Sequence, residues 1–164
     1  MKQKKSHTNI FRTEVFIMKF RTVTTVLLIL LSWTAVAYGE MVSVAVDRAN
    51  IRETPKINQY NLFIQAPIHY PLRVLGTEGA FYKVMDYRGQ QGYIDTDIVD
   101  KTRSAVVTVG RGNLRSGPGT SNNVILRAER GVSFKVIKES GEWLQLEHAS
   151  GSTGWMHKNL LWGY

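Results

Sequence analysis

"NLRSGPG" occupies residues 113–119, and "NIRETPK" occupies residues 50–56 at an offset of 63. The likeness extends well beyond these seven positions. "VTVGRGNLRSGP" (107–118) lies over "VAVDRANIRETP" (44–55) at the same offset. Farther on, "SFKVIKESGEWLQL" (133–146) lies over "PLRVLGTEGAFYKV" (71–84), and "GWMHKNLL" (154–161) over "GYIDTDIV" (92–99), both now at an offset of 62. Two stretches of about sixty residues that differ in length by one residue, lost between Pro55 and Pro71, point to duplication of one structural unit.

Within each copy the pattern is that of short strands. Leu72 and Val74, like Phe134 and Val136, alternate with Arg73 and Lys135, while Phe81 and Lys83, like Trp143 and Gln145, alternate with Tyr82 and Val84 or Leu144 and Leu146. Gly76-Thr77-Glu78-Gly79 and Glu139-Ser140-Gly141 punctuate one hairpin of each copy, and the glycines of 88–92 and 150–154 the next. No window carries a sustained helical period. The expected fold is all-β: about five short strands per copy, each copy a small, strongly bent barrel at 41–100 and 105–164, joined by a linker at 101–104.

The first forty residues differ in kind from the rest. Lys19 and Arg21 precede an apolar run from Val23 to Leu31, which leads to the small residues Ala35, Val36, Ala37 and Gly39. Residues 1–39 therefore read as a secretory signal peptide, with Met18 as an alternative start and cleavage after Ala37 or Gly39. The apolar run is shorter than the ~20 residues of a membrane span, so contact with the membrane is expected only through this segment before cleavage. Outside it the charge falls from +8 to +4, since residues 41–164 hold fifteen Lys and Arg against eleven Asp and Glu. Nucleic acid is not an expected partner. The residual charge lies on the second copy, with nine basic and four acidic residues at 101–164 against six and seven at 41–100. The absence of Cys excludes a disulfide framework and a cysteine nucleophile.

"GNLRSGPGTSNNVI", the turn at Gly131, "FKVIKESGEWLQL" and "GWM" together resemble the bacterial SH3-like domain over about 106–161. The first copy, about 42–99, resembles a divergent member. It keeps Asn50, Ile51, Arg52, Pro55, Gly79, Gly92 and Tyr93, but has Glu53-Thr54 in place of Ser116-Gly117 and Pro67-Ile68-His69 in place of Glu129-Arg130-Gly131. The resemblance implies two SH3-like barrels in tandem and a non-catalytic binding module. Such modules are common on exported bacterial proteins, are often joined to cell-wall hydrolases, and are often taken to contact peptidoglycan or its peptide stems. No catalytic activity, cofactor or metal is expected here. The sequence leaves no stretch over for a catalytic domain, and the acidic loop of eukaryotic proline-binding SH3 domains is unmatched.

Two readings stand for the Asn-apolar-Arg triplet. Arg52 and Arg115 could pair a carboxylate bidentately, or their stems could pack over the barrel while their heads tie a loop carbonyl. Recurrence in two divergent copies favours the second. Gly117-Pro118-Gly119 reads as a sharp turn, with neither the length nor the helix of a phosphate loop. Aromatic residues are the other candidates. Trp143, Trp155 and Tyr93 occupy strands, whereas Tyr60, Tyr70, Tyr82 and Tyr87 have no aromatic counterpart in the second copy. With His69 these tyrosines would line a groove of the first copy or pack it against the second. His69, His148 and His157 lack metal-ligand spacing, and neither a carboxylate pair nor a nucleophile elbow is present. The expected ligand is an extended envelope peptide such as a peptidoglycan stem. The alternative is another exported protein docked on a rigid two-barrel surface, and a third reading holds the basic second barrel at anionic lipid or wall polymer.

Overall fold

A computed structural model describes residues 39–164, so the predicted signal peptide lies outside the described residues except for Gly39. In the first half the strands are β1 (Met41–Val44), β2 (Arg48–Arg52), β3 (Leu62–Pro67), β4 (Pro71–Glu78), β5 (Phe81–Met85), β6 (Gln91–Asp95) and β7 (Val99–Asp100). The second half repeats the set: β8 (Ser104–Val107), β9 (Arg111–Arg115), β10 (Val124–Glu129), β11 (Ser133–Ser140), β12 (Trp143–Glu147), β13 (Thr153–His157) and β14 (Leu161–Gly163). The two seven-stranded sheets have one order, β3-β2-β6-β5-β4-β1-β7 and β10-β9-β13-β12-β11-β8-β14, and all their pairings are antiparallel.

Three expectations need correction. The sheets are not closed barrels: β3 and β7 end one sheet, β10 and β14 the other, and neither pair is hydrogen-bonded together. Each half has seven strands rather than about five, because short strands at the two ends, β1 with β7 and β8 with β14, pair with each other. Gly76 and Glu139 lie inside β4 and β11, not in turns. The register shifts between Val74 and Gly76, and again between Val136 and Lys138, so Leu75 and Ile137 are bulged outward and exposed.

Strand alternation builds the cores. Leu144, Leu146, Met156, Leu114 and Phe134 fill the second, and Leu72, Val84, Ile94, Ile51 and Val44 the first. β2 meets β6 at one paired position, Arg52 to Tyr93, and β9 meets β13 at one, Arg115 to Trp155. The neighbouring glycines are required by this close approach. A Cβ on Gly154 would stand 2.7 Å from the Arg115 carbonyl oxygen and 2.8 Å from Leu114 Cγ, and one on Gly92 2.9 Å from the Arg52 carbonyl oxygen and 2.6 Å from Ile51 Cγ2.

The two sheets share one boundary. Val106 of β8, fully buried, belongs to the first sheet's core, and its cross-strand neighbours Ser133 and Trp162 face the same side. Ser133 Oγ donates to the Ile68 carbonyl at 2.8 Å, the Arg73 guanidinium lies 5.7 Å from the Trp162 ring centroid, and the Tyr87 hydroxyl comes against Gly131. Burial of this row and the hydrogen bond across it fix the halves as one body.

Gly154→Ala is expected to destabilise the fold by about 1–3 kcal/mol, the usual cost of overpacking, whereas Gly110→Ala, whose Cβ meets nothing within 4 Å, leaves stability unchanged. Urea denaturation followed by tryptophan fluorescence reads both.

Candidate ligand-binding face

Cross-strand register lines up matching rows on the outward faces of the sheets. In the first, Leu62, Arg52, Tyr93, Lys83 and Gly76 follow one another across β3, β2, β6, β5 and β4. In the second, Val124, Arg115, Trp155, Gln145 and Lys138 do so across β10, β9, β13, β12 and β11. Side chains directly opposite one another share a face. The alternation that buries Leu114, Leu144 and Met156 therefore turns Arg115, Gln145 and Trp155 outward.

Each arginine also holds the loop that follows it. Arg115 Nη1 donates to the Asn122 carbonyl at 2.8 Å, and Asn122 Nδ2 donates to the Gly119 carbonyl at 3.2 Å. Gly117 leaves room for that amide, since a Cβ there would lie 2.7 Å from Asn122 Oδ1. Arg52 Nη1 donates to the Asn58 carbonyl (2.7 Å) and to Asn61 Oδ1 (3.0 Å), while buried Asn61 donates to Thr54 Oγ1 and to the Lys56 carbonyl, both at 2.8 Å. Thr54 stands where the second copy has Gly117, and its hydroxyl accepts the bond from Asn61 where Gly117 instead makes way for the Asn122 amide. A guanidinium has five N–H donors, so both heads keep donors for a ligand.

The predicted site residues fall into separate groups. Arg115, Trp155 and Trp143 share the outward face of the second sheet, and Tyr93 holds the equivalent of the Trp155 position in the first. The Trp143 ring meets His157 edge-on with centroids 5.2 Å apart, and the Lys138 ammonium lies 5.5 Å from the Trp155 centroid. His69, Tyr70 and Tyr87 gather instead at the boundary between the sheets. Tyr70 is buried, its ring 6.2 Å from that of Tyr87 and its hydroxyl donating to Asp86 at 3.4 Å; burial first, then the Asp86 carboxylate, pushes its pKa up. Tyr82 packs against the first core from its edge, and Tyr60 stands 85% exposed in the β2–β3 loop. β3, six residues and about 20 Å long, runs between exposed Tyr60 and buried Tyr70, so these two do not share one exposed groove. Lys138, Lys83 and Leu62 complete the rows without having been singled out in the sequence. Lys138 was masked by the bulge, which shifts the parity of β11 against β12.

His69 has φ 61°, left-handed backbone that its counterpart Gly131 adopts at 89°. Burial first, then the Lys135 ammonium, lowers its pKa against the weaker pull of Asp100 and Glu147.

The second sheet's row lies wholly within a stretch, residues 108–163, that matches the bacterial SH3 domain family. Residues 108–163 are a bacterial SH3 domain. The first sheet lies outside that match. YrvJ of Bacillus subtilis (strain 168), assigned as an N-acetylmuramoyl-L-alanine amidase, is 36% identical over 57 residues, which cover 35% of this chain and 11% of that protein. LytH of Staphylococcus epidermidis, assigned as a cell wall amidase, is 32% identical over 68 residues, covering 39% and 23%. Less than a quarter of either amidase is thus spanned by this chain. A solved structure, NlpC2 from Trichomonas vaginalis, overlaps 76% of this chain and 48% of its own at 13% identity and a TM-score of 0.36.

A His whose folded pKa lies below its unfolded value contributes full stability above about pH 6.5 and loses it as pH falls toward the folded pKa. His69→Gly removes both this titration and the left-handed strain, so its stability relative to the parent is expected to be greater at pH 5.5 than at pH 8, read as the difference in urea midpoints.

Proposed function

We propose that the protein is an exported, non-catalytic binding module that holds an extended peptide of the cell envelope, such as a peptidoglycan stem. In this reading the first sheet, 41–100, is a divergent second SH3-like unit in tandem with the SH3 domain. The observation that carries it is the row of apolar edge residue, arginine and aromatic that both sheets present outward at equivalent positions. An aromatic face accommodates a peptide plane or a small side chain, the arginine donors meet carbonyl or carboxylate oxygens, and the outer backbone groups of edge strands β3 and β10 can extend the sheet onto the ligand. The names of the amidase relatives support a wall ligand. Partners of other classes, nucleic acid among them, have no support in these features.

A second reading, docking to another exported protein, is favoured by one observation. The first sheet presents Ile57 (77% exposed) and Tyr60 (85%) on a loop tied down by Arg52 and Asn61, next to exposed Leu62 and Phe63. The polar loop of the second sheet has no equivalent of Ile57 or Tyr60, although Val124 and Ile125 match Leu62 and Phe63 beside it and are likewise exposed.

Retention on purified sacculi separates the two. The protein is expected to be retained above an unrelated basic control, and the Tyr93→Ala/Trp155→Ala double variant to lose at least tenfold. Retention no better than the control sinks the wall reading, and loss only on Ile57→Ser/Tyr60→Ser moves the contact to the loop.

A further inference from the structure

The rows differ where they meet charge. In the second sheet Trp155 lies between two cations: Arg115 is its direct cross-strand neighbour, and the Lys138 ammonium reaches over its ring. Neither cation has a carboxylate partner among the described residues, where the ion pairs are Arg88–Asp86, Lys101–Glu40, Arg103–Glu139 and Lys158–Glu139. The acids of this half are engaged elsewhere or lie off the row. Glu139 serves Arg103 and Lys158, Glu129 faces Arg111 across the strands, and Glu147 faces Lys135. In the first sheet the same place is built differently. Gly76 stands where Lys138 does, Glu78 stands where Ser140 does, and desolvation together with the neighbouring Glu78 carboxylate raises the pKa of the Tyr93 phenol. Arg52 and Lys83 are both direct cross-strand neighbours of Tyr93, so the first row also has two cations, but with the Glu78 carboxylate beside its aromatic, whereas the second has two cations without an anion.

We propose that Arg115, Lys138 and Trp155 form a carboxylate-binding subsite that takes the free C-terminal carboxylate of a peptide, with its terminal residue lying on the indole, and that the first sheet lacks this subsite. The inference rests on the peptide-binding reading and says which sheet receives the chain end. The free guanidinium N–H groups can grip both carboxylate oxygens, and the ammonium adds a point charge from the far side of the ring.

The test is a titration of the isotope-labelled protein with N-acetyl-Ala-Ala, in both D and L forms, and with its C-terminal amide, following the Trp155 indole N–H by NMR. The acid is expected to shift the indole at least tenfold more tightly than the amide, and added salt to weaken the acid alone. Lys138→Met, which keeps the stem over the ring, is expected to weaken the acid at least fivefold and leave the amide unchanged. Gly76→Lys with Glu78→Ser carries the arrangement to the first sheet and should give acid-dependent shifts at Tyr93; Gly76 has open space for a side chain. Equal binding of acid and amide, no shift with either, or an unaffected Lys138→Met variant overturns the subsite. Tighter binding of glycerol 3-phosphate than of the acid does the same by moving the site to a phosphate ligand. Retention on sacculi alongside equal acid and amide binding rejects the subsite alone, whereas absence of retention rejects the envelope reading beneath it.

Discussion

Between β2 and β6, and between β9 and β13, each sheet is held by a single paired position, with a glycine beside it that leaves no room for a Cβ. Most of what the molecule presents follows from that crossing. The strands approach closely enough to bring Arg52 beside Tyr93 and Arg115 beside Trp155, and each arginine then anchors the loop that follows its strand. "NLRSGPG" is thus a structural device with a functional consequence. The hydrogen bond that holds the loop uses one donor of the guanidinium and leaves the rest beside an outward aromatic ring. The loop-carbonyl bonds bear out the structural reading of the triplet, and the remaining donors are what the proposed ligand contact would use.

The second constraint is the shared boundary. Val106 has no room in its own core because β8 presents it outward, and it is buried by the first sheet instead. With Ser133 bonded to Ile68 and Trp162 lying under Arg73, the halves cannot turn independently without exposing that row. A ligand long enough to meet both outward rows would pay the entropy of association once, the physical gain of two sites on one rigid support.

The all-β class, the alternation of core and surface and the turn at 117–119 were legible because they depend on local chemistry, and the repeat at a fixed offset anticipated two sheets of one strand order. Other features depend on what lies across space. Ser43 and Val106 occupy equivalent strand positions, yet the serine hydroxyl is buried without a hydrogen-bond partner among the described residues and the valine seals the boundary; nothing local distinguishes their surroundings. The surplus tyrosines looked like one groove because they are close in sequence, but β3 carries the chain across the sheet between Tyr60 and Tyr70. Tyr70 and Tyr87 went to the boundary, as the packing alternative allowed. Lys138 could not be aligned with Trp155 without the bulge that shifts β11 by one residue. Open edges were equally hidden, since closure depends on the tilt and stagger of strands across the whole sheet.

The central claim is that ligand is held on the outward rows and not on the exposed loop of the first sheet. A backbone amide and indole NMR map of the full protein, recorded with a soluble peptidoglycan fragment carrying its stem peptide, tests it directly. The account predicts the largest shifts at Arg115, Trp155 and their neighbours on β9 and β13, with smaller ones around Arg52 and Tyr93. Shifts confined to residues 57–63 or to the boundary around Trp162, with Trp155 unmoved, would contradict it.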